Sequence, residues 1–317
     1  MLDTYGRKVD YLRLSVTDLC DLRCRYCMPE TGVCKKQHAD MLSEEEMIAA
    51  VRAAASVGFE KLRITGGEPL VKPNLLSICR RAAEVAGIRE VCLTTNGTAL
   101  DRLARPLHEA GVRRVNISLD TLNREKYAWI TRRDKLSDAL GGLEAALDAG
   151  FDKVKINTVL MGGFNDDEVE ALAALTLRYR VDVRFIELMP MAGSEVFPPE
   201  VYIPNTAVIR RLPDLEDLGQ TEGVARLYRL PEAKGNIGLI SPVSEHFCGS
   251  CSRLRLTADG KLKPCLHDPR EFSVKGLDEA AMAQVFREAI AAKPACHGRL
   301  GARNRSESQR SMNRIGG

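Results

Sequence analysis

Three cysteines, Cys20, Cys24 and Cys27, fall in one short run with the spacing Cys-x3-Cys-x2-Cys, and Tyr26 stands just before the last of them. Thiolates this close together bind soft metals. No fourth cysteine or histidine is spaced to match until Cys34. A structural metal site is normally closed by four protein ligands, whereas three leave one coordination position for chemistry. The run therefore reads as a metal centre with an open position.

A second group, Cys248-x2-Cys251-x13-Cys265, again offers three thiolates. A zinc ribbon closed by His246 or His267 is the alternative for this group, because Cys-x2-Cys is a common zinc half-site. The residues after it, Arg253-Leu254-Arg255-Leu256, alternate basic and apolar. If Leu254 and Leu256 face a core, Arg253 and Arg255 share the other face of a strand beside the metal. Two fixed guanidiniums next to an open metal position suit a phosphate-bearing substrate.

The rest of the composition is that of a soluble globular chain. Hydrophobic residues make up 44% and charged residues 28% of 317 residues. Lysines and arginines number 46 against 43 acidic residues, so no global field draws nucleic acid, and an anionic partner must be met by a local cluster. No apolar run approaches membrane-spanning length, and residues 1–8 carry no apolar leader core, so a cytoplasmic protein is expected. In a reducing compartment the ten cysteines read as ligands or buried thiols, not disulfides.

The elements that must position these groups alternate between short β-branched runs and helical ones. Strands are expected over residues 11–16, 61–65, 90–95, 113–119, 153–160 and 181–189. Helices are expected over 43–57, 75–86, 101–110, 137–149 and 166–180. Ser43 with Glu46 is a capping-box pair, and Gly58, Gly111 and Gly150 stand where helix C-terminal caps belong. Six strand–helix units imply a parallel sheet. A complete eight-unit barrel takes about 250 residues, so the fold expected is α/β, an incomplete (β/α)6 TIM-like barrel over residues 1–192. Residues 193–317 would form a C-terminal extension with the second cysteine group. Residues 192–232 show weak periodicity and give no assignment; a helix is expected over 278–292 and an irregular tail from Lys293. Polar and glycine-rich residues follow the strands at their C-terminal ends, the edge where parallel α/β folds bind ligands. These are the cysteine run, Gly66-Gly67-Glu68-Pro69, Asn96-Gly97, Asp120 and Met189-Pro190.

Taken together these segments resemble a known family. The spacing with an aromatic before the third cysteine is similar to that of radical S-adenosylmethionine (SAM) enzymes. Arg13-Leu14-Ser15-Val16-Thr17, Lys61-Leu62-Arg63-Ile64-Thr65-Gly66-Gly67-Glu68-Pro69, Leu93-Thr94-Thr95-Asn96-Gly97 and Asn116-Ile117-Ser118-Leu119-Asp120 narrow the resemblance. So do Lys153-Val154-Lys155-Ile156-Asn157, Arg184-Phe185-Ile186-Glu187-Leu188-Met189, the 248–265 segment and the terminal Ile315-Gly316-Gly317. The chain resembles the GTP 3′,8-cyclase family of molybdenum-cofactor biosynthesis over nearly its whole length.

The resemblance implies a set of roles. Cys20, Cys24 and Cys27 would hold a 4Fe–4S cluster that reduces SAM to methionine and a 5′-deoxyadenosyl radical, with Tyr26, Gly67, Ser118 and Met189 contacting SAM. A fourth ligand at Cys34 would leave SAM no position, so that reading is rejected. Cys248, Cys251 and Cys265 would hold a second 4Fe–4S cluster whose open iron meets guanine. Arg13, Arg63, Thr94, Lys155, Arg253, Leu254 and Arg255 would contact GTP. The radical would take hydrogen from ribose C3′, which then attacks C8, giving 3′,8-cyclo-7,8-dihydro-GTP. Arg253, Arg255, Gly316 and Gly317 would take part in the radical step. The implied partners are GTP, a reductant and a downstream cyclic pyranopterin monophosphate synthase, for a monomer or homodimer.

Other residues carry plainer expectations. Basic strand residues such as Arg13, Arg63 and Lys155 need a ligand or a carboxylate, for which Glu187 and Asp120 are candidates. Cys79 and Cys92 read as small buried residues, and Trp129 as a core residue. Arg299, Arg303, Arg305, Arg310 and Arg314 read as a solvated basic end. The segment 297–310 shows no aromatic or apolar anchors, so its docking would depend on SAM and GTP. The rival readings are a radical-SAM peptide modifier with auxiliary clusters and a zinc-binding interaction module.

Overall fold

In the computed structural model, which describes residues 1–32, 37–192, 201–301 and 304–316, six parallel strands lie side by side in chain order. They are β1 (Tyr11–Ser15), β2 (Lys61–Thr65), β3 (Glu90–Thr95), β4 (Val112–Ser118), β5 (Lys153–Leu160) and β6 (Val181–Glu187). The connections are helical: α1 (Glu44–Ser56), α2 (Leu75–Ala83), α3 (Leu100–Glu109), then α4 (Arg124–Thr131) and α5 (Leu136–Asp148). The expected helix over 166–180 is instead a 3-10 turn (Asp166–Glu168) followed by two short pieces, α6 (Val169–Ala173) and α7 (Leu175–Arg178).

Local chemistry accounts for the boundaries. At the start of α1 the Glu46 N–H donates to Ser43 Oγ at 3.1 Å, and the Ser43 N–H donates to Glu46 Oε2 at 2.8 Å, completing the capping box. Gly58 follows in the left-handed region at φ 98°. Helix α4, which the sequence reading did not anticipate, starts where Asn123 Oδ1 accepts the N–H groups of Glu125 and Lys126. It stops at Arg132, whose φ of 55° cannot continue a helix.

Strand alternation sorts the side chains. Leu12, Leu14, Leu62, Ile64, Leu93, Val115, Ile117, Ile156, Val183 and Phe185 are fully buried and belong to the apolar core shared with the helices. Each contributes about 1.5–3 kcal/mol by leaving water. Their neighbours Arg13, Arg63, Thr94, Asn116, Asn157 and Arg184 point the other way and line a cavity enclosed by the sheet.

The C-terminal region lengthens this sheet at both edges instead of building one of its own. After α8 (Thr206–Arg211) a hairpin of β7 (Glu216–Glu222) and β8 (Ala225–Arg229) leads to β9 (Ile237–Ile240), which pairs in parallel with β6. Strand β10 (Arg253–Leu256) pairs in parallel with β1 on the opposite edge, followed by antiparallel β11 (Lys261–Lys263) and β12 (Phe272–Ser273). Among the described residues the parallel part runs β10-β1-β2-β3-β4-β5-β6-β9 and stays open, an incomplete barrel with two added strands. Helix α9 (Glu279–Ala291) packs on α1, with Phe286 edge-on to Phe59 at 5.5 Å between ring centroids.

Two adjacent glycines of α5 separate propensity from packing. A Cβ on Gly141 meets nothing within 4 Å, whereas one on Gly142 would overlap the Gly97 carbonyl oxygen in the loop after β3. Gly141→Ala should therefore raise stability by about 0.5–1 kcal/mol through helix propensity. Gly142→Ala should lower it, the two shifts being compared by thermal unfolding.

Candidate functional site

The cysteine run forms a loop after β1 that is tied down on several sides. Arg23 N–H and Arg25 N–H donate to the carbonyls of Thr131 and Ile130 at the end of α4, and Arg132 Nη1 donates to Arg23 O at 2.7 Å. Within the loop, the N–H groups of Cys27 and Met28 both bond Cys24 O. Asp21 accepts from Asn96 Nδ2, Thr98 Oγ1 and Lys135 Nζ at 2.8, 2.8 and 3.1 Å. Burial pushes the Cys20 and Cys24 thiols well up and that of Cys27 to about 12, so they stay protonated until a cation displaces the proton.

Beside this loop, Gly66 and Gly67 run against its backbone. Gly67 N–H donates to Thr17 O and Glu68 N–H to Leu19 O, both at 2.7 Å, and a Cβ on Gly66 would lie 2.7 Å from Thr17 O. Glycine is needed there for the close approach. Glu68 is spent internally, accepting from Thr95 Oγ1, the Asn96 N–H and the Leu70 N–H. Tyr26 donates its hydroxyl to Asp120 Oδ2 at 2.7 Å, and the Val159 N–H donates to Oδ1 at 2.8 Å. Tyr26, Gly67, Ser118 and Met189 line the cavity with Cys20, Cys24 and Cys27.

The second cysteine group lines the same cavity from the other end of the strands: Cys251 precedes β10, which runs parallel to β1, whereas the first loop follows β1. Strand registry explains the cations between the two groups. Arg63, Arg13 and Arg255 are level on β2, β1 and β10, and Lys61, Tyr11 and Arg253 form the row beneath. Leu254 and Leu256 are fully buried in the apolar core, so Arg253 and Arg255 share the cavity face, as the alternation implied. Arg63 Nε donates to the Tyr11 hydroxyl and its Nη1 to Leu93 O at 3.0 Å and Thr94 Oγ1 at 3.3 Å. Burial and the neighbouring Arg253 bring Arg255 down to about 10. Lys293 braces the second group, donating to Arg253 O and Pro264 O at 2.9 Å each.

Two of the expected substrate contacts lie elsewhere. The Leu254 side chain is in the core. Lys155 is fully buried and outside the cavity lining, paired with Glu222 and, at 3.3 Å, with Asp182. The expected carboxylates for the strand cations are also replaced. Glu187 is saturated by the N–H groups of Asn205, Val243 and Ser244, and Asp120 by Tyr26 and Val159. Glu222, at the tip of the β7–β8 hairpin, pairs instead with Arg114, Lys155 and Arg184. Burial opposes its charge, but Lys155, Arg184 and Arg114 together hold the carboxyl far below its ordinary range. Arg114 and Arg184 follow the alternation that marked Arg63 and Lys155, so they were findable. Glu222-Gly223 was legible only as a hairpin turn.

Arg299 and Arg305 are exposed, as expected of a solvated basic end, but the tail is docked at several other points. Arg310 bonds both Asp259 and Glu271, Ser306 Oγ meets His267 Nδ1 at 3.1 Å, and Asn313 Nδ2 donates to Asp18 O at 3.1 Å. Ile315 is fully buried, and Gly316 O accepts from Arg13 Nη2 at 3.1 Å and Arg255 Nη1 at 2.8 Å. The anchors of residues 297–310 are ionic and polar, so they leave no apolar pattern in the sequence. Gly317, Cys34 and Arg303 lie outside the described residues. Trp129 is 47% exposed, not core; it carries Arg25 on its face at 4.6 Å and contacts Phe164. Cys79 and Cys92 are buried, as expected.

The cavity, about 380 Å³, thus holds two sets of three thiols, none in a disulfide, with arginines between them. This donor set fits two iron–sulfur clusters, each with an open position. A family model described as the Radical SAM superfamily matches residues 14–176, and one described as Molybdenum Cofactor Synthesis C matches residues 181–299. A GTP 3′,8-cyclase of Pelotomaculum thermopropionicum is 48% identical over 329 residues, and one of Alkaliphilus oremlandii is 44% identical over 324, each alignment covering 100% of both chains. The chain belongs to the GTP 3′,8-cyclase family, within the radical SAM superfamily. The crystal structure of Streptococcus suis SuiB shares the fold of this cyclase-family chain, with a TM-score of 0.64 at 14% identity, covering 91% of this chain and 67% of that one. No helix among the described residues is long and apolar enough to cross a membrane.

Burial raises Asp120 from 3.8 to about 6, against the Val159 and Tyr26 donors that favour its charge. Between those values the folded chain keeps a proton that the unfolded chain releases. The group therefore stabilises the fold at low pH and loses that contribution as pH rises through about 6. Asp120→Asn lacks this loss, so the metal-free variant should gain on the native chain in urea unfolding as pH rises across that window. A difference flat with pH would contradict it. Glu222→Gln leaves three cations short of their counter-charge and should destabilise by about 1–3 kcal/mol in the same assay.

Proposed function

We propose that this protein converts GTP to (8S)-3′,8-cyclo-7,8-dihydroguanosine 5′-triphosphate, using SAM and two 4Fe–4S clusters, as the first step of molybdenum-cofactor biosynthesis. The observation that carries the reading is the opening of both thiol trios and the β1–β2–β10 arginine row onto one cavity. The names of the full-length relatives agree with it. Residues 1–192 act as the radical-generating part and residues 193–317 supply the second cluster and much of the substrate site. When bound, the first cluster and SAM supply a 5′-deoxyadenosyl radical that takes hydrogen from ribose C3′, and that carbon closes on C8 of the base.

The residues of the chain orient and screen. Cys20, Cys24 and Cys27 would hold the first cluster, with Tyr26, Gly67, Ser118 and Met189 around SAM. Cys248, Cys251 and Cys265 would hold the second, which would supply an open position for the guanine. Arg13, Arg63, Thr94, Arg253 and Arg255 face the triphosphate, each phosphate meeting a guanidinium with little water between. Leu254 offers only its backbone, and Lys155 acts through Glu222 and Arg184, which share its ion-pair network. Gly316 holds Arg13 and Arg255 by its carbonyl, and Gly317, the next residue in the sequence, is assigned with it to the radical step. A separate reductant supplies two electrons, one for SAM cleavage and one that, with a proton, completes the 7,8-dihydro product after ring closure, and a cyclic pyranopterin monophosphate synthase takes the product. Unpaired cysteines suit a cytoplasmic setting, where thiols stay reduced.

Anaerobic reconstitution followed by iron and sulfide counting, then incubation with reductant, SAM and GTP, tests this. The expected result is 5′-deoxyadenosine together with a cyclised guanosine triphosphate. Zinc without sulfide, or deoxyadenosine indifferent to GTP with no new nucleotide, would overturn the reading. Arg253→Ala and Arg255→Ala should each raise KM for GTP about tenfold or more with iron and sulfide content intact, as befits a lost charge-assisted pair.

A further inference from the structure

A group of soft donors outside both trios gathers at the rim of the second cysteine loop. The ligand atoms of His246, Cys248 and Cys296 all lie within 4.8 Å of one another. A fourth donor is at hand in His297, which hydrogen-bonds the Cys248 thiol and lies 3.4 Å from His246 Nδ1 through its Nε2. The other nitrogen of His297, Nδ1, is 2.7 Å from Gly298 O, so it carries the proton and leaves the Nε2 lone pair facing the group. A backbone carbonyl that fixes the tautomer in this way is the usual support of a metal-bound histidine. His246 and Cys296 are exposed, so an ion can reach them.

Crowding of this kind fits one tetrahedral ion. A cubane cluster is a far larger body and spreads its thiolates around it, whereas a single cation draws four donors together. Two sulfurs and two imidazoles are the preferred set of zinc among available divalent ions. We propose that His246, Cys248, Cys296 and His297 form a mononuclear site for zinc, and that zinc there and the second cluster exclude each other because both need Cys248. Cys248 and Cys296 bind as thiolates, so uptake of the ion releases protons. The exclusion rests on the assignment of Cys248 to the second cluster; the zinc site itself does not. Cys296, with no part in either trio, is thereby given a role: it converts a cluster half-site into a closed zinc site.

The full-length chain, stripped of metal under anaerobic conditions, is titrated with zinc chloride against a chromophoric chelator, and the bound ion is examined by X-ray absorption. One ion with two sulfur and two nitrogen neighbours is expected. Cys296→Ser and His246→Ala should each weaken zinc binding about tenfold or more, whereas Cys251→Ser should leave it unchanged. Reconstitution in the presence of zinc should load only the first cluster in the native chain, and both clusters in Cys296→Ser. A zinc ion with three sulfurs that is lost in Cys251→Ser and retained in Cys296→Ser would overturn the proposal, as would no binding at all. If the zinc titration behaves as expected but zinc-free reconstitution yields no sulfide, the cyclase reading falls and the zinc site stands.

Discussion

A parallel sheet covered by helices keeps both faces from bulk water, so each charged side chain on it must find a partner within the fold. This chain sets that requirement on nearly every strand: Arg13 on β1, Arg63 on β2, Arg114 on β4, Lys155 on β5, Arg184 on β6 and Arg255 on β10. Most of the surrounding architecture can be read as the answer. The β7–β8 hairpin folds back to bring Glu222 against Arg114, Lys155 and Arg184, and the tail brings the Gly316 carbonyl to Arg13 and Arg255. Both come from beyond the six strand–helix units, so the C-terminal region completes the charge balance of the barrel as well as extending its sheet.

The same constraint divides the cavity in two. On the β3–β6 side the cations are met by protein carboxylates, and that half is largely self-contained. On the β10-β1-β2 side the partners are mainly carbonyls and hydroxyls: Leu93 O, the Tyr11 hydroxyl and Gly316 O. Neutral acceptors satisfy a guanidinium's hydrogen bonds without cancelling its charge, and the descent of Arg255 to about 10 shows the strain. A polyanion seated there would relieve repulsion among neighbouring arginines that the strand registry sets side by side.

Much of this was legible before any coordinates. The six strands of the barrel were placed almost to the residue, because β-branched runs closed by glycine or polar turns have few other readings, whereas the β7–β8 hairpin fell in a stretch of weak periodicity. The Ser43–Glu46 box and the facing of Arg253 and Arg255 followed from spacing alone. Where expectation and structure part, the reason is local. Trp129 sits on a helix exposed enough for Arg25 to cover it, so its size misled. The tail was judged by apolar anchors, but Arg310 reaches Asp259 and Glu271 instead. Glu187 and Asp120 had the right charge and strand position, yet nearby N–H and O–H donors claimed them first.

The amino-acid sequence by itself determined the chemistry: three thiols with an open position, twice, and a row of cations on alternating strand positions. Spacing along a strand or within a loop is short-range geometry, and it survives without knowledge of the fold. Only the tertiary structure decided who meets whom. That both trios open on one cavity depends on β10 adding to the free edge of β1, a contact between residues more than half the chain apart. That Lys155 is held by Glu222, and Arg13 and Arg255 by Gly316, depends on where the hairpin and tail come to rest. Such pairings are selected by the cost of leaving a buried charge unmatched, and that cost can be assessed only once all the segments are in place.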